Sequence, residues 1–331
     1  MVNITTPAVT THAGFLGIGA YRPSRIVPNS ELVERIESTD EWIRERSGIT
    51  ERRYAGADET VATMAASAAS AALEDAKLAA TDIDLVILAT FTHRYATPSA
   101  AAEVSAAIGA INAAAVDVGA ACAGFAYAVG LADAAVRAGT AKKVLVIGSE
   151  KISEVIDFDD RGTAFLFGDG AGAAVIGATA EQGIGPTVWG ADGAQKDAII
   201  MHPDTFTAGK EKTNSVLTMQ GQTVFRWAIS SMGDVCKRAL DAAGVTPEDI
   251  KAFVPHQANM RITNSLVKNL GFPESVVIAR DIESAGNTSA ASIPLALDRL
   301  RQNAEVASGD LVLMVGFGAG LAFAAQVARL P

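Results

Sequence analysis

The sequence predicts a layered α/β fold made of two related halves, and three observations carry that prediction. First, short apolar runs of strand character alternate with helical periodicities along the chain. Second, the chain repeats itself. Ala72-Leu73-Glu74-Asp75-Ala76 followed by Asp82-Ile83-Asp84-Leu85-Val86-Ile87 resembles Ala239-Leu240-Asp241-Ala242-Ala243 followed by Asp249-Ile250-Lys251-Ala252-Phe253-Val254. Gly168-Asp169-Gly170-Ala171-Gly172-Ala173 likewise resembles Gly316-Phe317-Gly318-Ala319-Gly320-Leu321, in the same order within each half. Order and register together outweigh a chance likeness of Ala-rich helices. Third, 49% of the 331 residues are hydrophobic but only 6% are aromatic, so Ala, Val, Ile and Gly must fill a large core. Small residues suit helices packed closely on sheets that are buried on both faces. The halves are expected at 1–180 and 181–331, joined near 178–186.

Taken in order, residues 14–20 read as a first strand and 21–29 as a Pro-punctuated loop. Asn29 is expected to cap a helix running through Val33 and Ile36. Ser38 or Thr39 caps a short helix that puts Trp42 and Arg46 on one face. Residues 60–80 form an Ala-rich helix, 84–90 a buried strand, and 97–108 a helix opened near Pro98. Residues 111–118 read as a buried strand. Phe125, Val129, Leu131, Ala132, Ala135 and Val136 then recur at helical spacing until Gly139. Residues 143–148 are a strand. The glycines of 165–177 invite a dinucleotide-binding reading, but they lead into a β-branched run rather than a helix, which rejects it. Residues 186–222, polar and Gly-rich, read as a long excursion of the kind that covers a site. Residues 311–328 read as a final strand pair.

A net charge of −10 and a pI near 5.0 argue against nucleic acid as a bulk partner, while leaving room for a local basic patch. The two cysteines, Cys122 and Cys236, lie far apart and fit no disulfide framework or zinc spacing. Residues 1–12 carry no secretory pattern and no charge-free apolar run reaches transmembrane length. A cytoplasmic protein with no metal and no membrane partner is the expectation.

Cys122 sits where a strand turns into a helix. There the unpaired N–H groups and the helix dipole favour thiolate, the nucleophilic form. A lone cysteine is more often a packed small residue. His256 follows the apolar run Phe253-Val254-Pro255, at a strand end where α/β sheets face ligands. Asn287 lies in Gly286-Asn287-Thr288, where an Asn is more often a cap than a catalyst. His12, His93 and His202 receive no role. Cys, His and Asn together also occur in papain-like proteases, but those place the Cys near the mature N-terminus in a Cys-Gly-Ser-Cys-Trp type context that is absent here.

Six stretches in order resemble the β-ketoacyl-[acyl carrier protein] synthase III family of thiolase-fold condensing enzymes. They are Asp40-Glu41-Trp42-Ile43, Ala121-Cys122-Ala123-Gly124-Phe125, Asp160-Arg161-Gly162-Thr163, Phe167-Gly168-Asp169-Gly170-Ala171-Gly172-Ala173, Pro255-His256-Gln257-Ala258-Asn259-Met260-Arg261 and Gly286-Asn287-Thr288-Ser289-Ala290-Ala291-Ser292. The resemblance implies a five-layered αβαβα fold and a homodimer. It also implies initiation of type II fatty acid synthesis by condensing an acyl-CoA with malonyl-[acyl carrier protein], without a cofactor. By position, Cys122 takes the acyl group. The backbone N–H groups of Cys122 and Ala319 form the oxyanion hole. His256 and Asn287 donate to the malonyl thioester oxygen during decarboxylation. The family often has Gly where Ala319 stands.

The same resemblance assigns CoA contacts to Trp42 and Arg161 around the adenine and to Arg46 at phosphate, with Thr39, Gly162, Gly221, Phe225 and Asn259 along the tunnel. Gln257, Ala258, Asn259, Met260 and Arg261, with Lys268 seven residues on and Arg226, form the patch expected to meet the acidic carrier protein. Phe317 and Thr97 belong to the acyl pocket. At the Thr97 position, brought to the pocket by two-subunit packing, the family often has a large aromatic, so primers longer than acetyl are expected. A degradative thiolase would carry a second cysteine at Ala319, and an elongating synthase a second histidine at Asn287. A type III polyketide synthase-like enzyme using malonyl-CoA is the nearest catalytic rival, and a non-catalytic carrier-protein binder the rival from another class.

Overall fold

The computed structural model describes residues 12–331, so the reading of the N-terminal segment lies outside it except for His12. The chain begins with β1 (Ala13–Tyr21) and a hairpin of β2 (Arg25–Pro28) with β3 (Glu51–Tyr54), between which lies α1 (Asp40–Ser47). Then come α2 (Val61–Ala76), β4 (Leu85–Ala89), α3 (Ala100–Ile108), β5 (Ala114–Val118), α4 (Gly124–Arg137), β6 (Lys143–Glu150) and β7 (Gly170–Ala178). The later part runs β8 (Val188–Gly190), β9 (Ile199–His202), α5 (Thr205–Glu211), β10 (Val216–Met219), α6 (Gly221–Ala243), β11 (Ala252–Pro255) and α7 (Met260–Leu270). It ends with β12 (Val277–Ile278), α8 (Ile282–Ala285), α9 (Ser292–Gln302), β13 (Leu311–Gly318) and β14 (Ala322–Arg329).

Two five-stranded sheets result, ordered β1-β7-β6-β4-β5 and β8-β14-β13-β11-β12. In each, the first three strands pair antiparallel and the last three parallel, so one topology occurs twice. Strand residues alternate between two cores. Val144 and Val146 face α4 and α9 in a central core that also takes Val254, Val312 and Met314 from the other sheet. Leu145 and Ile147 face α2 and α3 on the outside, and Leu313 and Val315 face α6 and α7. Five layers follow, with α4 and α9 in the middle.

Local chemistry explains the helix limits. Thr60 and Thr63 form a reciprocal capping box at the start of α2, and Lys77 ends it in a left-handed conformation. The Thr39 hydroxyl caps α1 by accepting from the Trp42 N–H. Other readings need correction. Asn29 starts only a 3-10 turn and caps no α-helix. It is buried, donating to Asp40 and the Ile49 carbonyl and accepting from the buried Arg52 guanidinium. Ser99, not Pro98, opens α3, its hydroxyl accepting from Ala102 N–H. Leu131 points outward, 40% exposed. The strand read at 111–118 is shorter and stands at the open edge of its sheet, with Ile111 80% and Val116 46% exposed. The 186–222 excursion holds β8 of the second sheet and the β9–β10 hairpin.

Candidate active site

Each central helix starts from a strained elbow. Before α4, the 3-10 turn Ala121–Ala123 has Ala121 at φ 44°, and before α9 the turn Ser289–Ala291 has Ser289 at φ 49°. A positive φ in a residue with a Cβ costs on the order of 1–3 kcal/mol and is held only by surrounding structure. That structure is the opposite sheet. A Cβ on Gly148 of β6 would lie 2.2 Å from the Ala290 carbonyl oxygen, and one on Gly316 of β13 would lie 3.0 Å from Ala123 Cα. The glycines let the two elbows nest face to face.

Cys122 rides on the first elbow, and His256 and Asn287 converge on it in one cavity of about 780 Å3. His256 is 2% exposed, follows β11 directly, and meets the Phe317 ring edge-on at 5.3 Å. Its Nδ1 lies 2.7 Å from Ser292 Oγ, which also accepts from the Gln257 N–H. With the serine proton given to Nδ1, the proton of the neutral ring stands on Nε2 as a donor, the tautomer that the mechanism below requires. Burial pushes the His256 pKa down to about 3, so the ring is neutral. The Asn287 side-chain oxygen accepts from Ser289 N–H at 2.9 Å, which frees its NH2 as a donor. Two neutral side chains able to donate thus line the same cavity as the sulfur.

Cys122 keeps part of its surface open to the cavity, yet burial pushes its thiol up to about 12. The Ser289 hydroxyl and the cysteine's own backbone pull the other way without overcoming it. The expected thiolate is corrected to a thiol at rest: desolvation outweighs one helix terminus. Gly318 is needed beside it, since a Cβ there would lie 2.8 Å from Cys122 Cβ.

The cavity runs from Cys122 past Phe91, Phe317 and the hairpin residues Ile199, Met201, Leu217 and Met219 to a basic mouth. At the mouth the Arg46 and Arg161 guanidinium carbons lie 5.3 and 4.9 Å from the Trp42 ring centroid. Arg261 sits 5.0 Å over Phe225.

Models described as 3-oxoacyl-[acyl-carrier-protein] synthase III and its C-terminal part match residues 116–193 and 240–330. A β-ketoacyl-[acyl-carrier-protein] synthase III of Mycobacteroides abscessus is 53% identical over 322 residues, covering 96% of this chain and 95% of that one. The chain belongs to the β-ketoacyl-[acyl carrier protein] synthase III family. Among solved structures, a priming β-ketosynthase from the R1128 polyketide biosynthetic pathway superposes with a TM-score of 0.97 at 44% identity, over 100% of this chain and 99% of that one. The 3-oxoacyl-[acyl-carrier-protein] synthase III of Aquifex aeolicus gives 0.89 at 41%, over 96% and 99%. The fold is the thiolase-like αβαβα arrangement.

As a site for this family, the cavity wall includes Trp42, Arg46, Gly221, Phe225, Asn259, Phe317 and Ala319. Thr39 and Gly162 are exposed and stand outside the wall, Thr39 capping α1 and Gly162 turning on Asp160. Asn259 uses its oxygen to cap α7 and its NH2 to hold the Arg46 carbonyl, tying the two sides of the mouth. Arg226, Arg261 and Lys268 are exposed and Ala258 half-buried.

Two members of the carrier-protein patch are corrected. Gln257 is 1% exposed and bonded to the Pro255 carbonyl and Ile282 N–H, and Met260 is 5% exposed against Gly48, so neither meets a partner's surface. Thr97, expected at the acyl pocket through two-subunit packing, is exposed on the loop before α3 and lies outside the cavity wall of its own chain. Ser289, Ser292 and Glu150 escaped the sequence reading. The Gly-Asn-Thr-Ser-Ala-Ala-Ser run held the two serines in plain view, but only the fold gives them partners.

Proposed function

We propose that this chain condenses an acyl-CoA primer with malonyl-[acyl carrier protein] to give 3-oxoacyl-[acyl carrier protein], CoA and CO2, initiating type II fatty acid synthesis in the cytoplasm. One observation carries the reading: a cysteine and two neutral hydrogen-bond donors share the inner end of a cavity with a basic, aromatic mouth.

The steps follow from the residues. An adenine stacks between Trp42 and Arg161 while Arg46 takes phosphate. Cys122 Sγ attacks the acyl carbonyl, and the backbone N–H groups of Cys122 and Ala319 hold the oxyanion. CoA leaves, and malonyl-[acyl carrier protein] docks on Arg261, Lys268 and Arg226. His256 Nε2–H and the Asn287 NH2 stabilise the enolate formed as CO2 departs. A neutral donor stabilises that charge without quenching the carbanion, and the low pKa of His256 favours this role. The carbanion then attacks the acyl-Cys122 carbonyl. No cofactor or metal enters these steps.

Two chains pair along the open edge at β5, where unpaired backbone groups and exposed apolar side chains invite a second strand. A second reading has one specific support, the likeness to a priming β-ketosynthase of a polyketide pathway: the same chemistry would then serve a polyketide carrier protein.

Radiolabelled acyl-CoA tests the proposal. Label is expected to become covalent on the wild type and not on Cys122→Ala, and to pass to malonyl-[acyl carrier protein] but not malonyl-CoA. Label that never becomes covalent would falsify the mechanism. Transfer to malonyl-CoA would favour a type III polyketide synthase-like enzyme. Comparing a fatty-acid with a polyketide carrier protein separates the two pathways.

A further inference from the structure

The Cys122 thiol must lose its proton to attack, and no group named in the mechanism accepts it. His256 holds Nε2–H toward the cavity and Asn287 offers NH2. Glu150, at the end of β6, is 0% exposed, a costly place for a carboxyl group without a cation partner. Its Oε2 accepts from the Thr92 hydroxyl at 2.5 Å, the Thr90 hydroxyl at 3.1 Å and the Phe91 N–H at 3.2 Å. Its Oε1 accepts from the Ser289 hydroxyl at 3.2 Å. Ser289 lines the same cavity as Cys122, on the turn that packs against the cysteine's own, and its hydroxyl favours the thiolate. The strained φ of Ser289 belongs to the turn that carries this hydroxyl to the Glu150 carboxylate. A serine whose proton points at a carboxylate presents its lone pair to a thiol, which is the arrangement for passing a proton along.

We propose that Glu150, acting through the Ser289 hydroxyl, takes the Cys122 proton during acylation and returns it during condensation. This rests on the reading of Cys122 as the acyl-holding nucleophile. In the first step the S–H proton moves to Ser289 Oγ as the Ser289 proton moves to Glu150. The sulfur bonds to the acyl carbon, and CoA leaves as thiolate, taking a proton from water. In the second step the carbanion bonds to the acyl carbon and the C–S bond breaks. The Cys122 thiolate is then protonated by Ser289, which is reprotonated by Glu150. The cycle consumes the one proton that decarboxylation of a malonyl carboxylate requires. Burial lifts the Glu150 pKa to about 7, between a carboxylate too weak to accept and an acid too weak to return a proton.

Rapid-quench acylation by a saturating acyl-CoA, measured from pH 6 to 8, tests this. The wild-type rate should rise across that range as Glu150 ionises. Glu150→Gln should be about tenfold slower or worse at pH 8 and lose the rise. Ser289→Ala should do the same, and the double variant should be no slower than the slower single. Ser289→Ala removes one hydroxyl and carries the test alone if Glu150→Gln does not fold. A buried negative charge that acts only by opposing the thiolate predicts the opposite sign, faster acylation in Glu150→Gln. Acylation at or above the wild-type rate, or a retained pH rise, overturns the relay. A wild type that forms no acyl-enzyme overturns instead the nucleophile reading beneath it.

Discussion

A neutral histidine and a protonated thiol divide the labour at the residue scale. In the proposed mechanism His256 contributes a donor and not a base, so His256→Ala should still acquire acyl label on Cys122. Its malonyl decarboxylation should fall by about 10²–10³, the cost of one preorganised donor to a developing oxyanion. Loss of acylation in that variant, measured by the same label, would make His256 the base. Glu150 adds a stability signature. Its native pKa lies near 7 against 4.5 ordinarily, so between those values the native state binds a proton that the unfolded chain does not. Its contribution is full below pH 4.5 and lost as pH rises through 7. Relative to the wild type, Glu150→Gln should therefore gain stability from pH 5 to pH 8, on the order of 1–3 kcal/mol by urea unfolding. His256, with its pKa depressed, imposes the opposite trend below 6.5, but it is common to both proteins and cancels. Strand ends and a glycine turn placed Cys122, His256 and Asn287 in the sequence, but their joint assignment came from the family resemblance, since singly a packed cysteine and a capping Asn are the commoner cases. Glu150 was legible in neither way: its link to Ser289 spans 139 residues and belongs to no motif.

At the scale of elements, the two elbows matter more than either helix. They meet because Gly148 and Gly316 remove the side chains that would hold them apart. Gly148→Ala drives a Cβ into backbone rather than a movable side chain, so a loss of about 2–4 kcal/mol is expected, read as a lowered Tm. Both half-reactions should weaken with it, since one elbow carries Cys122 and the other orders Asn287 through Ser289. The helices themselves were largely readable, because caps such as Thr60 and stops such as Gly139 and Gly244 act within a few residues. Strand exposure was not. Ala114–Val118 has the composition of a buried strand, but whether a neighbour covers it depends on the order of a sheet assembled from β1, β7, β6 and β4. Asn29 failed for a related reason: its local capping chemistry lost to a distant guanidinium, Arg52, which no short-range pattern announces.

At the scale of the whole molecule, two residues the single chain leaves outside, Val116 and Thr97, become intelligible together. Val116 is on the open edge of β5, and Thr97 lies on the loop before α3, the helix that packs beside that strand. Pairing of two β5 edges would cover Val116 and bring the 90–99 loop of one chain toward the cavity of the other. Val116→Lys places a charge on that edge, which opposes strand addition. Sedimentation should then give one chain mass where the wild type gives two. Primer choice follows from the same contact. On the proposed pairing, a small residue at Thr97 would leave the far end of the acyl pocket open, so Thr97→Phe should shorten the longest acyl-CoA that acylates Cys122 while sparing acetyl-CoA. The same substitution in the Val116→Lys background should leave the primer profile of that background unchanged, because the aromatic ring is then on the surface of a lone chain. If Thr97→Phe narrows primer length equally in the single-chain form, the residue reaches its own cavity and the shared pocket is wrong. If it narrows nothing in the paired form, chain length is set instead by walls already within one chain, Phe91 and Phe317 first among them.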